Sequence, residues 1–434
     1  MGLPAMKCFW KAIFLLALAS IAIHYTAIQS FTAKSSLLCT IPNPLTERVL
    51  DTPLAERACD EIPVVSNVSR KTHILILATT RSGSSFVGQI FNQHFDIFYL
   101  FEPLYHVQNA LIYRETQAKG SIDHQNKRMV LSNHERHMML GAGRDLLRSL
   151  YECDLHFLEN YIKPKPMNHT TNRLFRRGAS KALCSPSVCE SLEPDDTPPE
   201  EVDCIKKCGT LNLTLAVESC KDHEHVAIKT VRVPEVSDLR PLVEDPRLNL
   251  KIIQLVRDPR GILASRSETF QDTYKLWRIW RATGRKPYNL DTNQLLTICK
   301  DYLNSVSTGL NRPSWLKGKY LLLRYEDMAR NPIKKTEEIY NFLGISMDSS
   351  IVRWIENNTR ADTTFDKHKY GTIRNSEATA KNWRQKLSFD IVEFIQNTCQ
   401  EVLVQLGYKL VNSDQDLRNL SFSLVEEKTF SPFF

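Results

Sequence analysis

Two stretches of this sequence carry the residue types needed to hold a ligand with two anionic ends. In the first, ILILATTRSGSSFVGQIF, an apolar run rich in β-branched residues passes into a turn of small residues and then into a helix-like segment. A strand ending in such a turn aims backbone N–H groups and the positive end of the next helix at one point, where an anion is stabilised. Gly83 permits close backbone approach, Ser82, Ser84 and Ser85 offer hydroxyls, and Arg81 supplies a fixed cation, with Phe86 and Val87 opening the helix. The GxxxxGK[ST] pattern of nucleotide P-loops is missing, and with it an evident magnesium ligand, which argues against ATP or GTP hydrolysis.

The second stretch, KIIQLVRDPRGILASRSETF, repeats the strand, turn and helix order some way downstream. Arg257, Asp258, Pro259, Arg260 and Gly261 form the turn, and Ile262, Leu263, Ala264 and Ser265 continue into the helix. Arginine forks suit bidentate phosphate contacts, and Ser265 adds a hydroxyl. A plain salt bridge between Arg257 and Asp258 at a strand end accounts for each residue separately. It does not account for two such motifs in one chain.

These turns need a scaffold that brings them together. Apolar runs at 72–80, 95–101, 226–233, 251–257 and 319–325 read as strands, most of them followed by helix-like segments. That rhythm predicts an α/β fold with a central, largely parallel sheet flanked by helices. In open sheets of this kind ligands bind beyond the carboxyl ends of the strands, where both turns fall.

The rest of the chain sets the context. The sequence has 434 residues and a formal net charge of +7, a mild surplus that suits an anionic partner without selecting nucleic acid, phosphate or acidic glycan. Residues 9–28 form an apolar run of about 20 residues, the length of a membrane-spanning helix. Lys7 and Lys11 at its start predict a cytoplasmic tail over 1–8 and a lumenal remainder, with a cleaved signal peptide as the rival reading. Residues 29–70 carry four prolines and no periodicity, and read as a stem. The folded domain is expected over 71–412, with a tail at 413–434 whose pattern has no reading. Sequons begin at Asn67, Asn168, Asn212, Asn357 and Asn419, all beyond the span. Of eleven cysteines, Cys8 falls on the cytoplasmic side and ten remain to pair in an oxidising lumen. Five of them crowd an insertion at about 168–220, where disulfides are expected and a four-thiolate zinc site is the alternative.

Taken together, RSGSSF and VRDPRGILASR resemble the 5′-phosphosulfate loop and the 3′-phosphate motif of the Golgi carbohydrate 6-O-sulfotransferases. The resemblance extends over roughly residues 71–410 and includes LFEPLYHV, LLRYEDMARNP and HKYGTIRNS with the following NWR. It implies a sulfotransferase fold and 3′-phosphoadenosine 5′-phosphosulfate (PAPS) as donor, with Arg81 to Val87 holding the 5′-phosphosulfate and Arg257 to Ser265 the 3′-phosphate. No metal is required by the residues in view. Arg81 stands where soluble sulfotransferases have lysine, which assigns it charge stabilisation rather than proton donation. In-line transfer to a hydroxyl also needs a base. Glu102, at the end of the strand 95–101, is the candidate, and His106 the second choice. HKYGTIRNS, with Lys367, Lys369 and Arg374, resembles the late loop over the nucleotide's 3′ end, and Trp383 and Arg384 read either as a stacking platform or as core. The implied acceptor is galactose of keratan sulfate and related poly-lactosamine chains, attacked at its 6-hydroxyl. Transfer to N-acetylglucosamine or to the N-acetylgalactosamine of chondroitin is the alternative, and a non-catalytic glycan-binding protein the distant one. A Golgi-membrane, type II placement follows, with no nucleic-acid partner and a homo-oligomer left open.

Overall fold

The computed structural model describes residues 71–118, 133–359 and 375–434, all within the unit Ser66–Phe434. In chain order the elements that matter here are β1 (Thr72–Ala78), α1 (Ser84–Asn92), β2 (Ile97–Phe101), α2 (Leu104–Ala118), α3 (Asn133–Tyr151), β3 (Thr170–Thr171), α4 (Glu201–Cys208), β4 (Leu211–Asn212), α5 (Leu213–Asp222), β5 (His225–Thr230), β6 (Leu250–Val256), α6 (Pro259–Thr269), α7 (Asn293–Leu310), β7 (Tyr320–Arg324) and α8 (Tyr325–Arg330). All five strands expected from the apolar runs are present. They form one parallel sheet in the order β2-β5-β1-β6-β7.

The strands are apolar throughout because both faces of the sheet are covered. Along β1, alternate residues divide between two cores: Leu75 and Leu77 join Leu100, Ile228 and Ile252 on one face, while Ile74 and Ile76 join Tyr99, Ala227 and Ile253 on the other. That is the period of two expected of a pleated strand. From β1 the chain crosses to the edge strand β2, returns through β5, and only then passes to β6 on the opposite side of β1. The loops after β1 and β6 therefore leave neighbouring carboxyl ends in diverging directions, the arrangement that opens a crevice in such sheets.

The cysteine-rich insertion is tied by disulfides. Cys184 pairs with Cys204 and Cys189 with Cys208, which takes up the four thiols a zinc site would need. Cys153–Cys220 joins the end of α3 to α5, and Cys299–Cys399 joins α7 to the C-terminal helices. Cys8, Cys39 and Cys59 lie outside the described residues, as do the anchor 9–28, the stem 29–70 and Asn67. Among the described residues no helix is long and apolar enough to cross a membrane. Asn168, Asn357 and Asn419 are exposed, whereas Asn212 is half-buried and caps α5 by accepting from the N–H of Thr214 at 2.9 Å.

The tail at 413–434, whose sequence has no readable pattern, is packed on the preceding helices. Arg384 is 2% exposed and its guanidinium donates to the carbonyls of Asp416, Leu417, Asn419 and Phe422. Arg324 likewise donates to Glu426 O at 2.8 Å, and Lys409 N–H to Leu424 O at 2.9 Å. The segment is held through its carbonyls by arginines far away in the chain, so its own side chains carry no periodic pattern. Trp383 takes the core reading: it is 4% exposed, with the Arg260 guanidinium 4.5 Å from its ring centre.

Candidate functional site

The first turn is built as the sequence predicts. Gly83 is the N-cap of α1 with φ 94° and no side chain caps the helix; Phe86 N–H turns to Gly83 O at 3.0 Å, which leaves the Ser84 and Ser85 N–H groups as the donors this helix start offers an anion. Arg81 also takes a positive φ of 73°. Ser82 is fully buried and its hydroxyl has no partner, an orphaned donor of the kind a phosphate or sulfate oxygen satisfies. Gly83 is required twice over, because a Cβ there would lie 2.3 Å from the Tyr325 ring. Gly83→Ala is therefore expected to cost about 2–4 kcal/mol of stability from the strained φ and overpacking. Chemical denaturation and titration with the product nucleotide, PAP, check this, and binding should weaken at least about tenfold, the equivalent of 1.4 kcal/mol.

The second turn meets the first directly. Arg81 Nε donates to Ser265 Oγ at 3.1 Å, and Arg257 donates through one terminal nitrogen to Arg81 O at 2.9 Å. Arg257 is 6% exposed. Its guanidinium lies 4.5 Å from the Tyr325 ring centre and also reaches Thr379 O at 3.3 Å, while its Nε is buried without a partner. Gly261 leaves room for it, since a Cβ there would stand 3.2 Å from Arg257 Nε. Arg266 completes the join by donating to Thr80 O at 3.1 Å.

Several expected contributors prove to be scaffold. Arg260 is fully buried, paired with Asp258 at 2.7 Å, and donates also to Gln396 and to Lys409 O. Its Nε and one terminal nitrogen go to Asp258 and the other to the C-terminal segment, so its donors are taken up within the fold, and Asp258 pairs with Arg260 rather than Arg257. Pro259, Ile262, Leu263 and Ala264 are buried in α6. Val87 lies in the core, its N–H bonded to Gly83 O, and the Phe86 ring packs 5.6 Å from Trp354. Ser84 and Ser85 remain at the mouth of α1. Lys367, Lys369 and Arg374 lie outside the described residues.

Behind the second turn sits a residue that sequence reading passed over. Glu326 is 6% exposed; its Oε1 accepts from Asp258 N–H at 3.1 Å and its Oε2 from the Tyr408 hydroxyl at 2.6 Å. Burial, reinforced by the Asp258 charge, pushes its carboxyl up from an ordinary 4.5 to about 7. The folded chain then binds a proton that the unfolded chain releases between those values, so stability is greatest below about pH 4.5 and falls as pH rises through 7. The slope within that window approaches about 1.4 kcal/mol per pH unit for this group. Denaturant midpoints at pH 5, 6, 7 and 8 should show the decline, and Glu326→Gln, which keeps an acceptor but cannot ionise, should flatten it.

On the other flank of the crevice, Glu102 is 3% exposed and takes a positive φ of 54° just after β2. Lys229 Nζ lies 2.5 Å from its Oε1, and Arg232 pairs with its Oε2. Both cations come from the β5 segment and were missed in the sequence, although a lysine in the apolar run VAIKTVRV needs a buried partner and was a signal. Burial pulls the Lys229 ammonium down, opposed by the Glu102 charge. The cysteine-rich insertion forms the adjoining wall: the Phe175 ring stacks on Tyr105 at 4.0 Å, and Arg176 lies 4.5 Å over Phe101. Arg176 is held by Glu201 at 2.6 Å, on the helix α4 that the two disulfides anchor.

His106, the second choice for a base, is enclosed and engaged, as Glu102 is. It is 5% exposed, and its Nε2 accepts from Phe175 N–H at 3.1 Å. Burial, with Arg232 adding to it, depresses its pKa to about 4. The imidazole is neutral, and its lone pair is already engaged.

Two strand-turn-helix loops joined by hydrogen bonds, with orphaned buried donors at Ser82 and Arg257, lie with a buried carboxylate at the carboxyl edge of one parallel sheet, an arrangement suited to group transfer from an anionic donor. Residues 71–407 match the sulfotransferase domain family, and the chain belongs to it. It is similar to carbohydrate sulfotransferase 1 of Homo sapiens, 67% identical over 429 residues that cover 99% of this chain and 100% of that protein. Carbohydrate sulfotransferase 1 of Danio rerio is 63% identical over 431 residues, with the same coverage of 99% and 100%. Carbohydrate sulfotransferase 3 of Mus musculus is 41% identical over 360 residues, 82% of this chain and 72% of that one.

Proposed function

We propose that this chain transfers the sulfuryl group of PAPS to the 6-hydroxyl of galactose in keratan sulfate and related poly-lactosamine glycans. The observation that carries this reading is the direct join between the two cradles, Arg81 Nε to Ser265 Oγ at 3.1 Å and Arg257 to Arg81 O at 2.9 Å. With it go two buried donors left without partners, Ser82 Oγ and Arg257 Nε. PAPS supplies the sulfuryl group and a leaving nucleotide with anions at its 5′ and 3′ positions. Ser82 and the first turn of α1 bind the 5′ end, and Arg257 and Ser265 the 3′ phosphate. Arg81 stabilises charge on the bridging oxygen as it develops, an electrostatic role suited to a cation that does not give up its proton. Glu102 accepts the proton of the sugar hydroxyl, and Lys229 and Arg232 hold its carboxylate in place. The names of the most similar relatives support a carbohydrate acceptor, and the resemblance of the whole chain supports galactose.

The same reading places the protein as a single-pass type II protein of the Golgi membrane, anchored by 9–28, with its folded domain and sequons in the lumen. Four disulfides accord with an oxidising compartment. Sulfate transfer from radiolabelled PAPS to desulfated keratan sulfate, chondroitin and N-acetylglucosamine-terminated oligosaccharides, with EDTA present, tests the function. Label on galactose supports it. Label on another sugar changes the acceptor, loss of activity in EDTA brings in a metal, and no transfer at all leaves a glycan-binding protein.

A further inference from the structure

The backbone of the second turn is pinned at three atoms by side chains from elsewhere in the chain. Tyr302, on α7, holds two of them: its hydroxyl accepts from Arg257 N–H and donates to Arg257 O at 3.2 Å. Glu326, at the start of α8, holds the third by accepting from Asp258 N–H at 3.1 Å. Arg257 therefore leaves β6 with its backbone fixed on both sides, and that fixing aims its guanidinium toward the first loop. Tyr408 encloses Glu326 from the C-terminal segment, donating to its Oε2 at 2.6 Å. Glu326, Tyr302 and Tyr408 are all buried.

The other titratable groups around Glu326 are already answered. On its own segment, Arg324 is paired with Asp327 at 2.8 Å. In the turn, Asp258 is paired with Arg260 at 2.7 Å. Tyr302 and Tyr408 are neutral, because burial pushes both phenols up. Among the described residues, the hydrogen bonds that Glu326 receives come from one amide and one phenol, and no cation pairs with it. Arg257 is the cation whose attraction favours its ionised form. A phosphate seated on Arg257 cancels that attraction and adds like charge, so the carboxylate of this cluster that yields is Glu326.

We propose that Glu326 positions the 3′-phosphate turn and takes up a proton from solvent when the nucleotide binds, an inference that rests on the PAPS reading above. The proton sits on Oε2, where the Tyr408 oxygen accepts it, and Oε1 keeps the bond from Asp258 N–H. In the free enzyme burial, with the Asp258 charge added, pushes the Glu326 carboxyl up to about 7. The bound phosphate raises it further. Nucleotide affinity is then greatest where the carboxyl is protonated in both states, and it falls as pH rises through 7 until the bound enzyme also ionises. A further rise of about one unit on binding predicts about a tenfold loss of PAP affinity across that window.

Isothermal titration of the full chain with PAP, in two buffers of different ionisation enthalpy, reads the proton directly. Near pH 7.5 the nucleotide's phosphates have already lost their last protons, which leave near pH 6. Uptake of about half a proton is expected there for the unmodified enzyme, and none with a nucleotide lacking the 3′-phosphate. From about pH 6 to about pH 9 its PAP affinity should fall about tenfold relative to Glu326→Gln, which cannot ionise. Tyr408→Phe removes the hydrogen bond that favours the ionised carboxylate, so it should move the fall to higher pH, a shift that loss of packing alone does not produce. PAP binding without proton uptake by the unmodified enzyme overturns the inference and leaves the PAPS reading standing. So does a Glu326→Gln enzyme with the parent's pH profile. Absence of PAP binding at every pH overturns the PAPS reading and this inference with it.

Discussion

Glu102→Gln is expected to lower kcat for sulfate transfer by about 10³-fold, within the 10²–10⁴ range of general base catalysis, while PAP binding is retained. The amide keeps the shape of the carboxylate but cannot take the hydroxyl proton. The variant also carries a structural cost. Lys229 is buried, with its side chain 4% exposed, and Glu102 is the charge that opposes the depression of its ammonium by burial. Removing one partner of such a pair destabilises by about 3–5 kcal/mol. A loss of activity in the single variant could therefore come from a weakened fold. The double variant Glu102→Gln, Lys229→Met separates the two, since it removes the fully buried cation together with the carboxylate and leaves only Arg232, which is 17% exposed and keeps its bond to Gln108. Its melting temperature and PAP affinity should recover toward the parent while turnover stays low. Turnover in the double variant within about tenfold of the parent, less than the smallest effect expected of a base, would remove Glu102 from the chemistry.

Arg257→Ala has the second largest expected effect, a loss of PAP affinity of about 10²–10³-fold. One charge-assisted hydrogen bond to a phosphate contributes about 1.5–3 kcal/mol, and a guanidinium fork supplies two. The residue also ties the first loop to the second through Arg81 O and is stacked against Tyr325, so its removal loosens both cradles together. Arg257→Lys should recover little. An ammonium keeps the charge but loses the planar stack and cannot reach Arg81 O, Thr379 O and a phosphate at once. Isothermal titration with PAP, set beside titration with a nucleotide lacking the 3′-phosphate, checks the assignment: the variant should lose most of the parent's preference for the 3′-phosphorylated form. A variant that retains that preference would place the 3′-phosphate elsewhere.

The two cradles were legible because each is a local structure. A strand, a turn of small residues and a helix start follow one another within a few residues, and their backbone donors are set by that order alone. The parallel sheet was legible for a related reason: strands covered on both faces must be apolar throughout, and five such runs stand out in the chain. Membership in the sulfotransferase family was also open to sequence reading, through the same two motifs.

The roles of individual side chains within those motifs were not local. VRDPRG presents two arginines on almost equal terms, yet Arg257 faces the first loop while Arg260 is buried against Asp258, Gln396 and Trp383. The choice depends on C-terminal helices more than a hundred residues away. His106 looked available for proton transfer until the insertion placed Phe175 N–H on its ring nitrogen. Lys229 and Arg232 met Glu102, and Glu326 met Asp258 and Tyr408, only across the sheet. By itself the sequence determined what can be built from neighbours in the chain: the strands, the anion-binding turns and the chemistry they suit. Only the tertiary structure decided which charges are spent on each other and which are left for a ligand, because a buried charge is assigned by the partners that folding brings to it.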